Sequence, residues 1–137
     1  MSKVVDQASA AAVQGFMMAL GGGDFDAARS FLADRASWFV VGKDIPGGGL
    51  HEGADNVIAF IKRVRALFVP GDPSMDIRHF AAIDGLVVVE AQGSGRLVDG
   101  REYSNPYLIT IDVTDGKITQ IREYFDSHYV GSFNLDL

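Results

Sequence analysis

Asp126 closes the segment Arg122-Glu123-Tyr124-Phe125-Asp126, in which charged residues are threaded between aromatic ones. A carboxylate shielded from water among aromatic side chains has its charged form disfavoured. Its pKa rises toward neutrality, and it becomes a workable general acid or base. Tyr124 and Asn105 are its candidate partners, since a phenol or an amide can orient the carboxylate or donate to an oxygen that gains charge. Plainer roles are open to the same residues. Asp126 could cap the following Ser-His-Tyr-Val or pair with Arg122, and Asn105 could supply a structural hydrogen bond.

Which of these roles applies depends on the elements that carry the residues. Three Asp-Gly pairs, Asp84-Gly85, Asp99-Gly100 and Asp115-Gly116, each lie between runs of β-branched and aromatic residues. That pattern signals two-residue hairpin turns, in which both turn residues take positive φ. It predicts four antiparallel strands over about 75–83, 86–98, 101–113 and 117–126, long enough that the sheet must curl, with Gly93 and Gly95 as places for a bend or bulge. Two-residue turns also fix register. Counting back from them aligns His79 with Glu90, Ile109 and Arg122; Ile77 with Gln92, Tyr107 and Tyr124; and Ser94 with Asn105 and Asp126. One face then gathers polar groups at one end, with Glu90 and Arg122 as an ion pair and His79 beside it, either around a pocket or as a structural row. The opposite face, with Val87, Val89, Ala91, Leu97, Leu108, Ile121 and Phe125, is apolar enough to suit a second subunit.

The N-terminal half supplies the cover. Residues 4–20 place apolar side chains at helical spacing, and Gly21, Gly22 and Gly23 end that helix. Asp24 is an N-cap for a second helix starting at Phe25; residues 36–41 read as a strand, 42–53 as a loop and 54–68 as a third helix. Trp38, Phe16, Phe60 and Tyr107 are candidates to line an apolar cavity and hold a ring-shaped ligand, though core packing is the commoner role for such side chains. The reading is one α+β domain over 1–137, a curved sheet with helices on one face.

Bulk properties narrow the function. A net charge of −6 and a pI near 4.8 argue against nucleic acid as partner. The absence of cysteine excludes thiolate catalysis and Cys-ligated zinc, and the three scattered histidines show no metal-ligand spacing. No apolar run is long enough to span a bilayer. No cofactor, metal or membrane is expected, and a cytoplasmic location is.

The helix-helix-strand-helix start, the loop ending Leu50-His51-Glu52-Gly53, and the run from Asn105 to Asp126 resemble SnoaL-like proteins of the superfamily that includes nuclear transport factor 2 and ketosteroid isomerase. The resemblance implies a cone-shaped α+β fold with a deep apolar pocket, dimeric through the convex sheet. It implies an Asp at the end of the last strand that handles protons, which Asp126 matches, and an isomerase-type base after the first strand, which Asp44 matches. Epoxide hydrolases of the superfamily use an Arg-x-Asp pair on an earlier strand, which Val87–Leu97 lacks. The expectation is therefore a cofactor-free isomerase or cyclase acting on an apolar cyclic or carbonyl-bearing metabolite. Its catalytic residues would be Asp126, Asn105, Tyr124 and Asp44, and its binding residues Trp38, Phe16, Phe60, Tyr107, His79, Glu90 and Arg122. A non-catalytic ligand-binding or dimerisation module with the same pocket is the alternative, with dehydratase or epoxide hydrolase further behind.

Overall fold

Asp6 decides where the first helix starts. In the computed structural model, which describes residues 2–137, its carboxylate accepts from the Ser9 hydroxyl at 2.7 Å and the Ser9 N–H at 3.0 Å. This caps α1 (Gln7–Gly21). The same carboxylate accepts from the Gly85 N–H at 2.8 Å, so one side chain ties the helix start to a hairpin turn. These bonds, the Ser9 hydroxyl foremost, hold the Asp6 carboxyl below the usual carboxylate range.

The remaining elements are β1 (Ser2–Val4), α2 (Phe25–Ser30), β2 (Leu32–Val40), β3 (Gly49–Glu52), α3 (Ala54–Ala66), β4 (Ser74–Ile83), β5 (Leu86–Arg96), β6 (Glu102–Thr114), β7 (Lys117–Phe125) and α4 (Ser127–Gly131). Asp24 caps α2 through the Ala27 N–H, as its position predicts. The strands form one curved sheet in the order β1-β4-β5-β6-β7-β2-β3. β1 on β4 and β2 on β7 are parallel pairs, and the others are antiparallel. The α+β architecture is the one expected; β1, β3 and α4 are additions to it. No described helix is long and apolar enough to cross a membrane.

The core lies between the concave face of the sheet and helices α1 and α3. Val87 and Val89 of β5, Ile111 of β6 and Ile121 of β7 pack in one cluster with Val13 and Phe16 of α1 and Val57 and Ile61 of α3. Each such buried aliphatic side chain contributes roughly 1.5–3 kcal/mol. The face expected to meet a second subunit is thus largely the interior: Val87, Val89, Ala91, Leu97 and Ile121 are all buried.

The strand pairing also departs from expectation at three places. Asp84-Gly85 and Asp115-Gly116 form the expected turns with positive φ at both residues, and Ile83 faces Leu86 and Thr114 faces Lys117. At Asp99-Gly100 only the glycine has positive φ. There the Leu97 N–H bonds to the Arg101 carbonyl, closing a three-residue loop. The β5–β6 register therefore moves by one, so that Gly93, not Ser94, faces Asn105. Bulges at Arg78 in β4 and Thr119 in β7 shift the register again: Ile77 meets Ala91, and Ile109 meets Glu123.

Gly93 and Gly95 are not bulge sites, since β5 pairs with β6 without interruption. Their lack of a Cβ makes room. A Cβ at Gly93 would stand 2.7 Å from the Tyr107 ring, and one at Gly95 3.0 Å from Phe68 and Asp72. Gly93→Ala should lower stability by about 1–3 kcal/mol through overpacking. A denaturant titration checks this, and an unchanged midpoint would show that Tyr107 moves aside freely.

Candidate functional site

Between α1, α3 and the concave sheet lies a cavity of about 500 Å³. Phe16 enters from α1, Phe60 and Ile61 from α3, Trp38 from β2, Ile109 and Ile111 from β6, and Ile121 and Glu123 from β7. Strand alternation explains the set. Trp38 pairs with Ile121 and Val40 with Glu123 on the parallel β2–β7 ladder, so the inward residues of both strands stand side by side. Phe60 is held by the His51 ring, stacked at 3.9 Å, and His51 Nε2 is 2.8 Å from the Gly47 carbonyl.

Two polar groups on these walls lack partners. No hydrogen bond or ion pair reaches the Glu123 carboxylate among the described residues; the residue is half-buried and lines the cavity. Loss of hydration pushes its pKa from 4.5 up to about 7. The indole N–H of Trp38 is buried with no acceptor among the described residues, and Trp38 keeps only 8% of its surface exposed. An unmade hydrogen bond at a buried donor costs roughly 1–3 kcal/mol. Arg65 also lines the cavity and donates from Nη1 to the Leu20 carbonyl at 2.8 Å.

The structure brings Trp38, Phe16 and Phe60 to this cavity, but not the other residues singled out from sequence. Asp126 is exposed and caps α4, accepting from the Tyr129 N–H at 3.0 Å. Asn105 is fully buried. Its Nδ2 donates to the Tyr103 hydroxyl at 3.0 Å and the Asp126 carbonyl at 3.2 Å, and its Oδ1 accepts from the Asp126 N–H at 3.2 Å. It therefore fixes the β7–α4 junction. Tyr107 lies over Gly93, hydroxyl to hydroxyl with Tyr103; burial pushes both phenols up, so they stay protonated. Tyr124 packs beside Phe39 on the convex face. Asp44 lines a separate open groove with Lys43, Ile45 and His128. The expected Glu90–Arg122 pair is replaced by two others on the convex face. His79 pairs with Glu90 at 2.5 Å, while Arg122 bonds Asp112 at 2.5 Å, Gln120 at 2.8 Å and Thr110 at 3.1 Å. Asp44 lies in the loop before β3 and Asp126 beyond the end of β7; within β7, beyond the bulge at Thr119, Ile121 and Glu123 rather than Arg122 and Tyr124 meet the cavity.

Residues 13–121 match the SnoaL-like domain, and the chain belongs to that family. Its architecture is NTF2-like. Among solved structures it is similar to an NTF2-like protein from Burkholderia xenovorans LB400 (24% identity over 94% of this chain and 97% of that one, TM-score 0.82). It is also similar to a proposed polyketide cyclase from Xanthomonas campestris pv. campestris (23% identity, 92% and 96% covered, TM-score 0.77). TerC, crystallised with polyporic acid, is a third (18% identity, 91% and 98% covered, TM-score 0.79). At these identities the likeness is one of fold. No curated protein matches the chain.

The raised carboxyl has a thermodynamic signature. Between pH 4.5 and about 7 the folded protein holds a proton on Glu123 that the unfolded chain has lost. Its contribution to stability is therefore complete below pH 4.5, falls as pH rises through that window, and stays lost above it. At 1.36 kcal/mol per pH unit the full span is about 3 kcal/mol. Glu123→Gln should accordingly match the parent near pH 4.5 and exceed it by up to about 3 kcal/mol at pH 8. Chemical denaturation at several pH values measures the difference; a pH-independent gap would place the carboxyl in water.

Proposed function

We propose that the cavity is an active site for proton transfer on an apolar cyclic or carbonyl-bearing molecule, in an isomerase- or cyclase-type reaction. The observation that carries this reading is a carboxyl group without a partner in the wall of an apolar cavity, poised near pH 7 by its burial. Ionised Glu123 takes a proton from the carbon next to the carbonyl, and the C–H electron pair moves into an enolate. The oxygen that gains charge accepts a hydrogen bond from the Trp38 indole N–H, which has no acceptor within the described chain. Neutral Glu123 then returns the proton, to another carbon in an isomerisation or, in a cyclisation, to the alkoxide formed when the enolate carbon bonds to a second carbonyl carbon and that carbonyl's π pair moves onto its oxygen. Base and donor are both side chains of the cavity, so this chemistry calls for no cofactor. The proposed polyketide cyclase and the polyporic acid complex among the similar structures support a cyclic, oxygenated ligand.

Exchange of C–H for deuterium in D₂O tests the step before the physiological substrate is known. Across a panel of cyclic ketones and β-diketones, NMR should show catalysed exchange that Glu123→Gln lowers about 10²–10⁴-fold. Trp38→Phe, which keeps the ring but removes the donor, should cost about 10-fold or more. Exchange undiminished in Glu123→Gln refutes the assignment. Ligands that bind without any exchange would indicate a binding module instead.

We also propose a homodimer through the convex sheet face, where Leu108 and Tyr124 remain 45% and 39% exposed beside Phe39. Sedimentation should find a dimer that Leu108→Glu converts to a folded monomer; a monomeric parent protein would rule this out.

A further inference from the structure

Glu123 and Arg65 are the two ionisable side chains among the described residues that line the cavity. Arg65 lies in the last turn of α3 and is half-buried. One of its five N–H groups is spent on the Leu20 carbonyl at the end of α1. No carboxylate pairs with it among the described residues; Arg35 and Arg63 also lack one but are exposed and outside the cavity lining, whereas Arg29, Arg78, Arg96, Arg101 and Arg122 each have one. Arg65 enters from α3 and Glu123 from β7, and no hydrogen bond or ion pair joins them among the described residues. Beside Arg65, Met17, Leu20 and Val64 complete an apolar rim.

A guanidinium without a carboxylate partner, on an apolar wall of a chain carrying net charge −6, is a selective feature. It favours an anionic oxygen group, bound through charge-assisted and bidentate hydrogen bonds, over a neutral one. We propose that the cavity takes an apolar acid: a carboxylate held by Arg65, with the hydrocarbon or aromatic body filling the space toward Glu123. The inference rests on the reading of this cavity as the ligand site and deepens it by naming the charge of the ligand. It does not need Glu123 to move a proton.

Trp38 is the one tryptophan of the chain and stands on the cavity wall, so its emission reports occupancy directly. The probes are 4-phenylbutyrate and its methyl ester, which share a body and differ in charge. Titrated at low ionic strength, the acid should bind about tenfold tighter than the ester. Arg65→Met should erase that preference by weakening the acid alone, and Arg65→Lys should keep most of it. If Arg65 serves only to cap α1, Arg65→Met will weaken both probes alike and lower the melting temperature, which overturns the proposal. Equal binding of acid and ester by the parent protein, or no response to the acid at millimolar concentration, overturns it as well. Glu123→Gln should leave the preference for the acid in place. A retained preference alongside failed deuterium exchange would discard the proton-transfer reading and keep this one.

Discussion

A single extra residue in β7 governs the site. Thr119 has no opposite number in β6: Val113 pairs with Ile118 and Asp112 with Gln120, and the strand beyond presents its other face to the helices. Because side chains alternate strictly along a strand, one inserted residue inverts everything downstream of it. Ile121 and Glu123 turn to the cavity, while Arg122 and Tyr124 turn to the convex surface. The bulge thus sets both the apolar seal of the core and the position of the carboxyl on the cavity wall. The network of Arg122 with Asp112, Gln120 and Thr110 holds the inverted strand from outside.

The cavity is preserved by groups that are themselves fully committed. Asn105 donates to the Asp126 carbonyl and the Tyr103 hydroxyl and accepts from the Asp126 N–H, which holds the β7–α4 junction in place. Tyr103 joins Phe68, Leu97, Val130 and Phe133 in a second apolar cluster that closes this end of the sheet. Against that surround, the Glu123 carboxylate and the buried N–H of Trp38, both on residues that line the cavity, stand out as groups whose hydrogen-bonding capacity the described chain does not use. Polar atoms in such a state cost stability in the free protein, and a ligand that meets them recovers it.

Much of the fold was legible because its signals are local. Asp-Gly between β-branched runs, Asp24 ahead of α2, and the helical stripe around Phe16 each announce an element within a few residues. The family resemblance adds the wrapping of sheet by helix. Of the site, Trp38, Phe16 and Phe60 could be picked out as large rings on amphipathic elements. Glu123 could not, because alternation puts it on the face of Val87, Val89 and Ile121 without saying that this face meets the helices, and an odd-length loop at Asp99-Gly100 and two bulges hide its neighbours. A subtler signal was present. Ile118 and Ile121, like Ile77 and Phe80, are three residues apart, and such pairs can share one face of a strand only if an extra residue intervenes. The short β1, β3 and α4 carry too few residues for any periodicity, and they exist because tertiary pairing supports them.

The parallel pairing of β2 with β7 also orders events in time. Trp38 lies in the first third of the chain, yet the ladder that buries it is completed by residues 120–123. During synthesis α1, β2 and α3 therefore leave the ribosome long before their partner strand exists, and the apolar face they share must wait uncovered until β7 arrives. Contacts of such wide sequence separation are slow to form and leave hydrophobic surface open to other chains in the interval. Of all the strands, β7 is thus the one whose delay or loss most directly exposes the nascent protein to chaperones and to aggregation.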